Sequence, residues 1–176
     1  MKHVIALGGS NSKNSINKKL SVLAANKLKN ASFTILDLND FEIPLYGIDH
    51  EIDKGIPEDV SKFNALIFAA DGIILSLAEH NGSYTAAFKS LLDWLSRIDK
   101  NVWKNKPMLL MSTSPGARGG ASVFDTASNM LPRLGAQIVG SFSLPLFAEN
   151  YSDKKLVDNE LNQDFLKEIE KFEASL

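Results

Sequence analysis

Short apolar runs alternate throughout this chain with longer stretches of helical periodicity, and that alternation limits the fold more than any other feature. Residues 3–7 form an apolar run ending in Gly8 and Gly9, and residues 15–28 place Ile16, Leu20, Leu23, Ala24 and Leu28 at helical spacing. Residues 33–38 read as a second strand. Residues 57–70 open on Pro57, which suits a first helical turn, and bring Val60, Phe63 and Ile67 to one face. Residues 72–77 (GIILSL) are apolar enough for a strand buried on both sides, and 84–97 follow as a helix with Phe88, Leu91, Leu92 and Leu95 inward. A strand at 107–112, a helix at 120–134 with a late Pro132, a strand at 137–142 and a terminal helix at 162–175 complete the order βαβαβαβαβα. This order predicts an α/β fold with right-handed crossovers and a parallel sheet covered on both faces, its ligands lying beyond the carboxyl ends of the strands. A chain of 176 residues, 44% of them apolar, suffices for one domain with a buried core, so a single domain over 1–176 is expected. Residues 40–56 form the longest irregular stretch and read as a surface or lid loop.

The chain has no cysteine, so disulfides, thiolate nucleophiles and iron–sulfur clusters are excluded and any redox chemistry needs a bound cofactor. A net charge of −2 with both signs dispersed gives no footprint for nucleic acid or an anionic membrane. The N-terminal apolar run is too short for a signal peptide and no stretch approaches a membrane span, so a cytoplasmic location is expected. His3 and His50 lack partners at metal-ligand spacing, and no metal site is expected.

Function should then lie in the loops after the first, third and fourth strands, which are rich in Gly, Ser and Asn. The first, residues 8–17 (GGSNSKNSIN), joins a buried strand to a helix start, where unpaired N–H groups and the positive end of the helix dipole favour an anion. Ser10, Ser12, Ser15 and Asn17 can add donors to a terminal phosphate. One such residue would serve as a helix cap, but four within one turn suit a phosphomonoester. Neither G-x-x-x-x-G-K-[ST] nor G-x-G-x-x-G occurs, which removes support for triphosphate hydrolysis and for a Rossmann dinucleotide site.

The turn after strand one resembles the G-S-x-x-x-x-S-x-N of the NADPH-dependent FMN reductase family. The loop after strand three, residues 77–85 (LAEHNGSYT), is similar to that family's P-E-Y-N-x-S and is followed by Leu92-Asp93-Trp94 in the next helix. Residues 112–120 (STSPGARGG) resemble its glycine-rich loop after strand four, so the likeness covers nearly the whole chain. The resemblance implies a flavodoxin-like three-layer α/β/α sandwich with a five-stranded parallel sheet of order 2-1-3-4-5. It also implies a homodimer or homotetramer with its active site near the subunit interface. It assigns the FMN phosphate to Ser10, Ser15 and Asn17, helped by Ser12. Glu79, His80, Asn81, Gly82 and Ser83 border the isoalloxazine, and Ser114, Gly116, Gly119 and Gly120 supply its other edge. On this reading two electrons pass from NAD(P)H through the flavin to a small acceptor, a free flavin, quinone or azo compound, in a ping-pong cycle with no catalytic side chain.

Three departures bear on that likeness. Ser12 stands where many members carry arginine, so countercharge would come from Lys13, Lys18 or Lys19, and Ala78 and His80 replace the motif's proline and tyrosine. Arg118 is a candidate for the NADPH 2′-phosphate, Glu79 reads as a helix-start charge ahead of a base, and Trp94 reads as core or interface. Tyr46, Trp103 and Phe147 are candidates to wall a planar substrate. Replacing Ser15 or Asn17 by alanine is expected to weaken flavin binding with little effect on the fold. A one-electron flavodoxin-type carrier and a nonenzymatic flavin-binding protein remain alternatives.

Overall fold

A computed structural model describes all residues, Met1–Leu176. Its elements run β1 (Lys2–Gly9), α1 (Ile16–Ala25), β2 (Ala31–Leu36), α2 (Ile48–Lys54), α3 (Glu58–Ala69), β3 (Gly72–Leu77), β4 (Glu79–His80), β5 (Ser83–Tyr84), α4 (Ala86–Ile98) and β6 (Lys106–Thr113). After these come α5 (Ala121–Met130), β7 (Ala136–Leu144), α6 (Phe147–Asn150), β8 (Tyr151–Ser152), β9 (Lys155–Leu156) and α7 (Asn159–Ala174). The five long strands form one sheet of order β2-β1-β3-β6-β7, parallel throughout, and this is the 2-1-3-4-5 order of a flavodoxin-like fold. No helix is long and apolar enough to cross a membrane.

Strand pleating explains why the central strands read as unbroken apolar runs. Ile5, Leu7, Ile73, Leu75, Met108 and Leu110 point to one face and pack with Phe63, Ile67, Phe88 and Leu91 of α3 and α4. Their neighbours Val4, Ala6, Ile74, Leu109 and Met111 point to the other and pack with Leu20, Leu23, Phe165, Ile169 and Phe172 of α1 and α7.

Most element ends differ from the sequence expectation by local chemistry. The Asp37 carboxylate accepts from the Asn39 amide at 3.0 Å and starts a 3₁₀ turn, so the second strand stops at Leu36. Pro132 lacks an N–H, and the helix that begins at Ala121 gives way at Leu131 to a 3₁₀ turn. Asp158 caps α7 through the Leu161 amide at 2.8 Å, three residues ahead of the expected start. The 40–56 stretch is not an open lid. It contains α2 and is fastened to α4, where the Trp94 indole N–H and the Ser90 hydroxyl both donate to the Pro44 carbonyl, at 2.9 and 2.8 Å.

Trp103 and Phe147 are corrected from loop walls to core: both are buried, Trp103 among the residues under α4 and Phe147 stacked on Tyr151 with ring centroids 4.6 Å apart. Tyr46 packs edge-on against Trp94, and its hydroxyl donates to Glu51, so it too is occupied away from the strand ends.

The β6–β7 register carries a bulge, since Met108 pairs with Ile138 while Leu109 pairs with Gly140 and Val139 is the extra residue. A Cβ on Gly140 would lie 2.7 Å from the Glu168 carbonyl oxygen, a main-chain atom of α7 that no rotamer change can move. Gly140→Ala is therefore expected to lower stability by about 1–3 kcal/mol through overpacking, read as a lower urea midpoint at unchanged m.

Candidate functional site

The carboxyl ends of β1, β3 and β6 converge on a cleft of about 260 Å³ bordered by Ser10, Ser12, residues 14–17, residues 78–80 and residues 113–115. Its floor is the turn between β1 and α1. Gly8 permits that turn, because a Cβ there would meet the Lys18 main-chain nitrogen at 2.5 Å and force α1 away from the sheet. Inside the turn the Ser12 amide donates to the Ser10 hydroxyl oxygen at 3.1 Å, and the Ser15 hydroxyl accepts from the Lys18 amide at 3.1 Å as the cap of α1. The main-chain N–H groups of Asn11, Lys13, Asn14, Ile16 and Asn17 have no acceptor in the chain. Main-chain donors at a helix start, beside four short hydroxyl and amide side chains, make a seat for an anion.

Asn17 carries a different load from the other three. Its side chain is 1% exposed, donates to the Thr113 carbonyl at 3.0 Å, and accepts from the Thr113 amide at 3.0 Å and the Ser76 hydroxyl at 2.7 Å. The carboxyl-terminal parts of β3 and β6 are thereby pinned to one amide at the start of α1, and what Asn17 keeps for the cleft is its main-chain N–H and the second hydrogen on Nδ2. The expectation that its loss would spare the fold is corrected accordingly. Thr85 makes a parallel link: its hydroxyl donates to the Gly9 carbonyl at 2.8 Å and caps α4 by accepting from the Phe88 amide at 3.2 Å.

The segment after β3 is a hairpin where a loop running into a helix was expected, so Tyr84 lies in β5 and α4 starts at Ala86. Asn81 and Gly82 both have positive φ, 51° and 78°, as a two-residue hairpin turn demands, and the Asn-Gly pair was the signal that could have revealed it. Glu79 and His80 border the cleft, whereas Asn81, Gly82 and Ser83 form the exposed tip. The Glu79 carboxylate accepts from the Val123 amide at 3.0 Å, capping α5, whose own cap residue Gly120 has no side chain to do so. Behind the hairpin the Tyr84 hydroxyl is buried without a partner, and burial pushes the phenol up to about 12.

The third wall is the turn after β6. Ser114 borders the cleft, and the exposed Gly116 uses its carbonyl to accept from the Gly119 and Leu146 amides at 3.2 and 3.1 Å. Gly119 and Gly120 are buried, with φ of 58° and 81°, and shape the turn without facing the cleft. The Gly119 carbonyl is held by the hydroxyls of Ser112 and Ser143 at 2.7 and 3.1 Å. Arg118 is exposed and donates to the Ser122 hydroxyl at 3.1 Å. The sequence reading gave no site role to Asn14, Ile16, Thr113 or Pro115 and noted Ala78 only as a departure from the motif, yet all five line the cleft; Ile16 contributes a main-chain group that no side-chain motif advertises.

Charge at the turn is partly spent. Lys18 is ion-paired with Asp37, and although burial alone would raise the Asp37 carboxyl, hydrogen bonds from Lys18 and Asn39 hold it below its ordinary value. Lys13 and Lys19 are exposed and make no ion pair in the chain, so any countercharge to an anion falls to them.

Comparisons with known proteins bear on the family and the fold. The family model for NADPH-dependent FMN reductase matches residues 2–149. The quinone reductase of Escherichia coli (strain K12) is 36% identical over 80 residues, 46% of this chain and 43% of that protein. The NADPH:quinone oxidoreductase of Arabidopsis thaliana is 37% identical over 124 residues, 69% of this chain and 62% of that protein. The chain thus spans less than two thirds of the length of these relatives. Among solved structures, the flavoenzyme NAD(P)H:(acceptor) oxidoreductase FerB from Paracoccus denitrificans superposes with a TM-score of 0.79 at 27% identity, over 99% of this chain and 97% of that one. A Pseudomonas aeruginosa flavodoxin, with a TM-score of 0.59 at 15% identity over 100% and 99% of the two chains, shares the fold alone.

Replacing Asn17 by alanine should cost about 2–4 kcal/mol, since it strands the Ser76 hydroxyl and both main-chain groups of Thr113 in a buried place. Ser15→Ala should cost about 1 kcal/mol, the worth of a helix cap. Chemical denaturation of the two variants side by side checks the contrast, and equal losses would remove the pin from the account.

Proposed function

The chain belongs to the NADPH-dependent FMN reductase family, and from that premise we propose that it binds FMN in the cleft at the ends of β1, β3 and β6 and moves two electrons from NAD(P)H to a small quinone-type acceptor. The observation that carries this is the turn after β1, with unpaired amides and short hydroxyls beside the positive end of α1. The donor set suits a phosphomonoester. The cleft alone is smaller than the roughly 300–1,000 Å³ of a whole small-molecule site, so the flat ring would extend past it, between the hairpin and the turn after β6.

In this reading Ser10, Ser12, Ser15 and the main-chain amides of Ile16 and Asn17 hold the phosphate, while the Asn17 side chain keeps the seat in shape. Glu79, His80, Asn81, Gly82 and Ser83 border one side of the ring, and Ser114 and Gly116 the other, with Gly119 and Gly120 setting the turn. FMN, when bound, supplies the two-electron chemistry. No side chain is asked to act as acid or base, and the protein's share is to orient the ring and leave one face open for NAD(P)H and acceptor in turn, a ping-pong order. Arg118, exposed and bonded to Ser122, is on this reading the partner of a 2′-phosphate. The names of the curated relatives favour a quinone as acceptor over a free flavin or azo compound. A cytoplasmic setting belongs to the proposal because that is where NAD(P)H is regenerated.

The oligomer is part of the same reading. Leu45, Ile48 and Ile52 are 78%, 53% and 74% exposed on one short segment fastened to α4 through Pro44, an apolar patch that a second copy would cover. Ile52→Glu is expected to shift the protein toward monomer in size-exclusion chromatography with light scattering, and unchanged mass would move the interface elsewhere.

The functional test is an absorbance spectrum of purified protein. A flavin spectrum that NADPH bleaches in one two-electron step and that a quinone restores is the expected outcome. A long-lived one-electron state would favour a flavodoxin-type carrier, and no reaction with NAD(P)H would favour a nonenzymatic flavin-binding protein. Protein that is colourless and does not take up micromolar FMN would overturn the proposal.

A further inference from the structure

The seat at the turn after β1 opens outward as well as toward the strand ends. Ser15 borders the flavin cleft on one side and, on the other, a second groove of about 710 Å³ between α1 and the β8–β9 hairpin. That volume lies within the range of small-molecule sites, about 300–1,000 Å³. Lys13 and Lys19 line it close to Ser15 in the chain, and Lys154 lines it from the hairpin; all three are exposed and none has an ion-pair partner in the chain. Lys18 also lines the groove but is neutralised by Asp37, and Asp153 is the one acid along it, already accepting from the Ser152 hydroxyl. The groove therefore carries excess positive charge. Farther along α1 the lining is Val22 and Leu23, ending at Asn26, and Tyr151 lines the groove from the hairpin. Tyr151 is held in place by stacking on Phe147.

Charge next to the phosphate seat, then an aromatic and aliphatic slot, is the order of groups in a nucleotide attached through a second phosphate. We propose that this groove takes the adenosine phosphate half of a flavin dinucleotide, so that the protein binds FAD as well as FMN. The inference rests on the flavin reading above and deepens it. The second phosphate lies among Lys13, Lys19 and Lys154, and adenine lies against Tyr151 and Val22. FMN leaves the groove empty and gains from it only the general attraction of the lysines, whereas FAD gains specific contacts beyond Ser15.

Calorimetric titration of the flavin-free chain with FMN and with FAD separates the two claims. FAD is expected to bind at least as tightly as FMN. Lys154→Glu reverses a charge outside the FMN seat, and Val22→Trp fills the apolar end of the groove; each should weaken FAD by tenfold or more and leave FMN within about threefold, because an exposed charge change is screened over a Debye length. Wild-type FAD binding tenfold weaker than FMN, or variants that leave the FAD-to-FMN ratio unchanged, would overturn the inference while leaving the FMN proposal standing. A raised KM for NADPH at an unchanged ratio would assign the groove to the reducing cosubstrate and overturn it equally. Failure of both flavins to bind would overturn the flavin reading itself.

Discussion

One buried amide holds the architecture of the site together. The Asn17 side chain sits where β1 hands over to α1 and reaches both Ser76 at the end of β3 and Thr113 at the end of β6. Parallel strands pair along their lengths, but their carboxyl ends splay into separate loops that share no ladder hydrogen bonds. A side chain that is donor and acceptor at once can join two of them to the start of a helix, and asparagine matches a main-chain N–H and C=O from a single residue. Within a low-dielectric interior such a network rigidifies because every member is satisfied and none has water to turn to. The turn proposed to hold the phosphate is thereby fixed in shape, and the main-chain amides of Ile16 and Asn17 are left without partners in the chain.

The two outer walls are joined by similar means. Glu79 reaches from the hairpin after β3 to cap α5, and Thr85 ties the foot of the same hairpin to Gly9. A glycine cap leaves the start of α5 short of an acceptor, and the hairpin supplies it. Polar side chains in the site thus serve mainly to set loops against each other, consistent with a function whose reactive chemistry comes from a bound group. Their roles are positional, so a carboxylate in the site need not be a proton carrier.

Much of the fold was legible because its cause is local and periodic. Runs such as Gly72–Leu77 (GIILSL) are apolar on successive residues only when both pleat faces are covered, and the spacing of Phe88, Leu91, Leu92 and Leu95 follows from 3.6 residues per turn. Element ends were less legible, since the start of α7 depends on which acid caps it and the end of β2 on how Asp37 folds back to Asn39. The β4–β5 hairpin was hidden by its two-residue arms, although Asn81-Gly82 announced the turn. Trp103 lies between regular elements and Phe147 opens the four-residue α6, too short to show periodicity, so both read as surface aromatics, yet each is buried.

By itself the sequence determined the layered α/β class and the parallel sheet, and it pointed to the serine-rich turn after the first strand as the candidate site, because periodicity and helix-start chemistry are written within a few consecutive residues. Only the tertiary structure decided that Asn17 works chiefly as a pin, that Glu79 serves a helix more than forty residues away, and that a basic groove adjoins the seat at Ser15. Those depend on which groups from distant segments come within hydrogen-bond reach, and chain folding alone sets that distance.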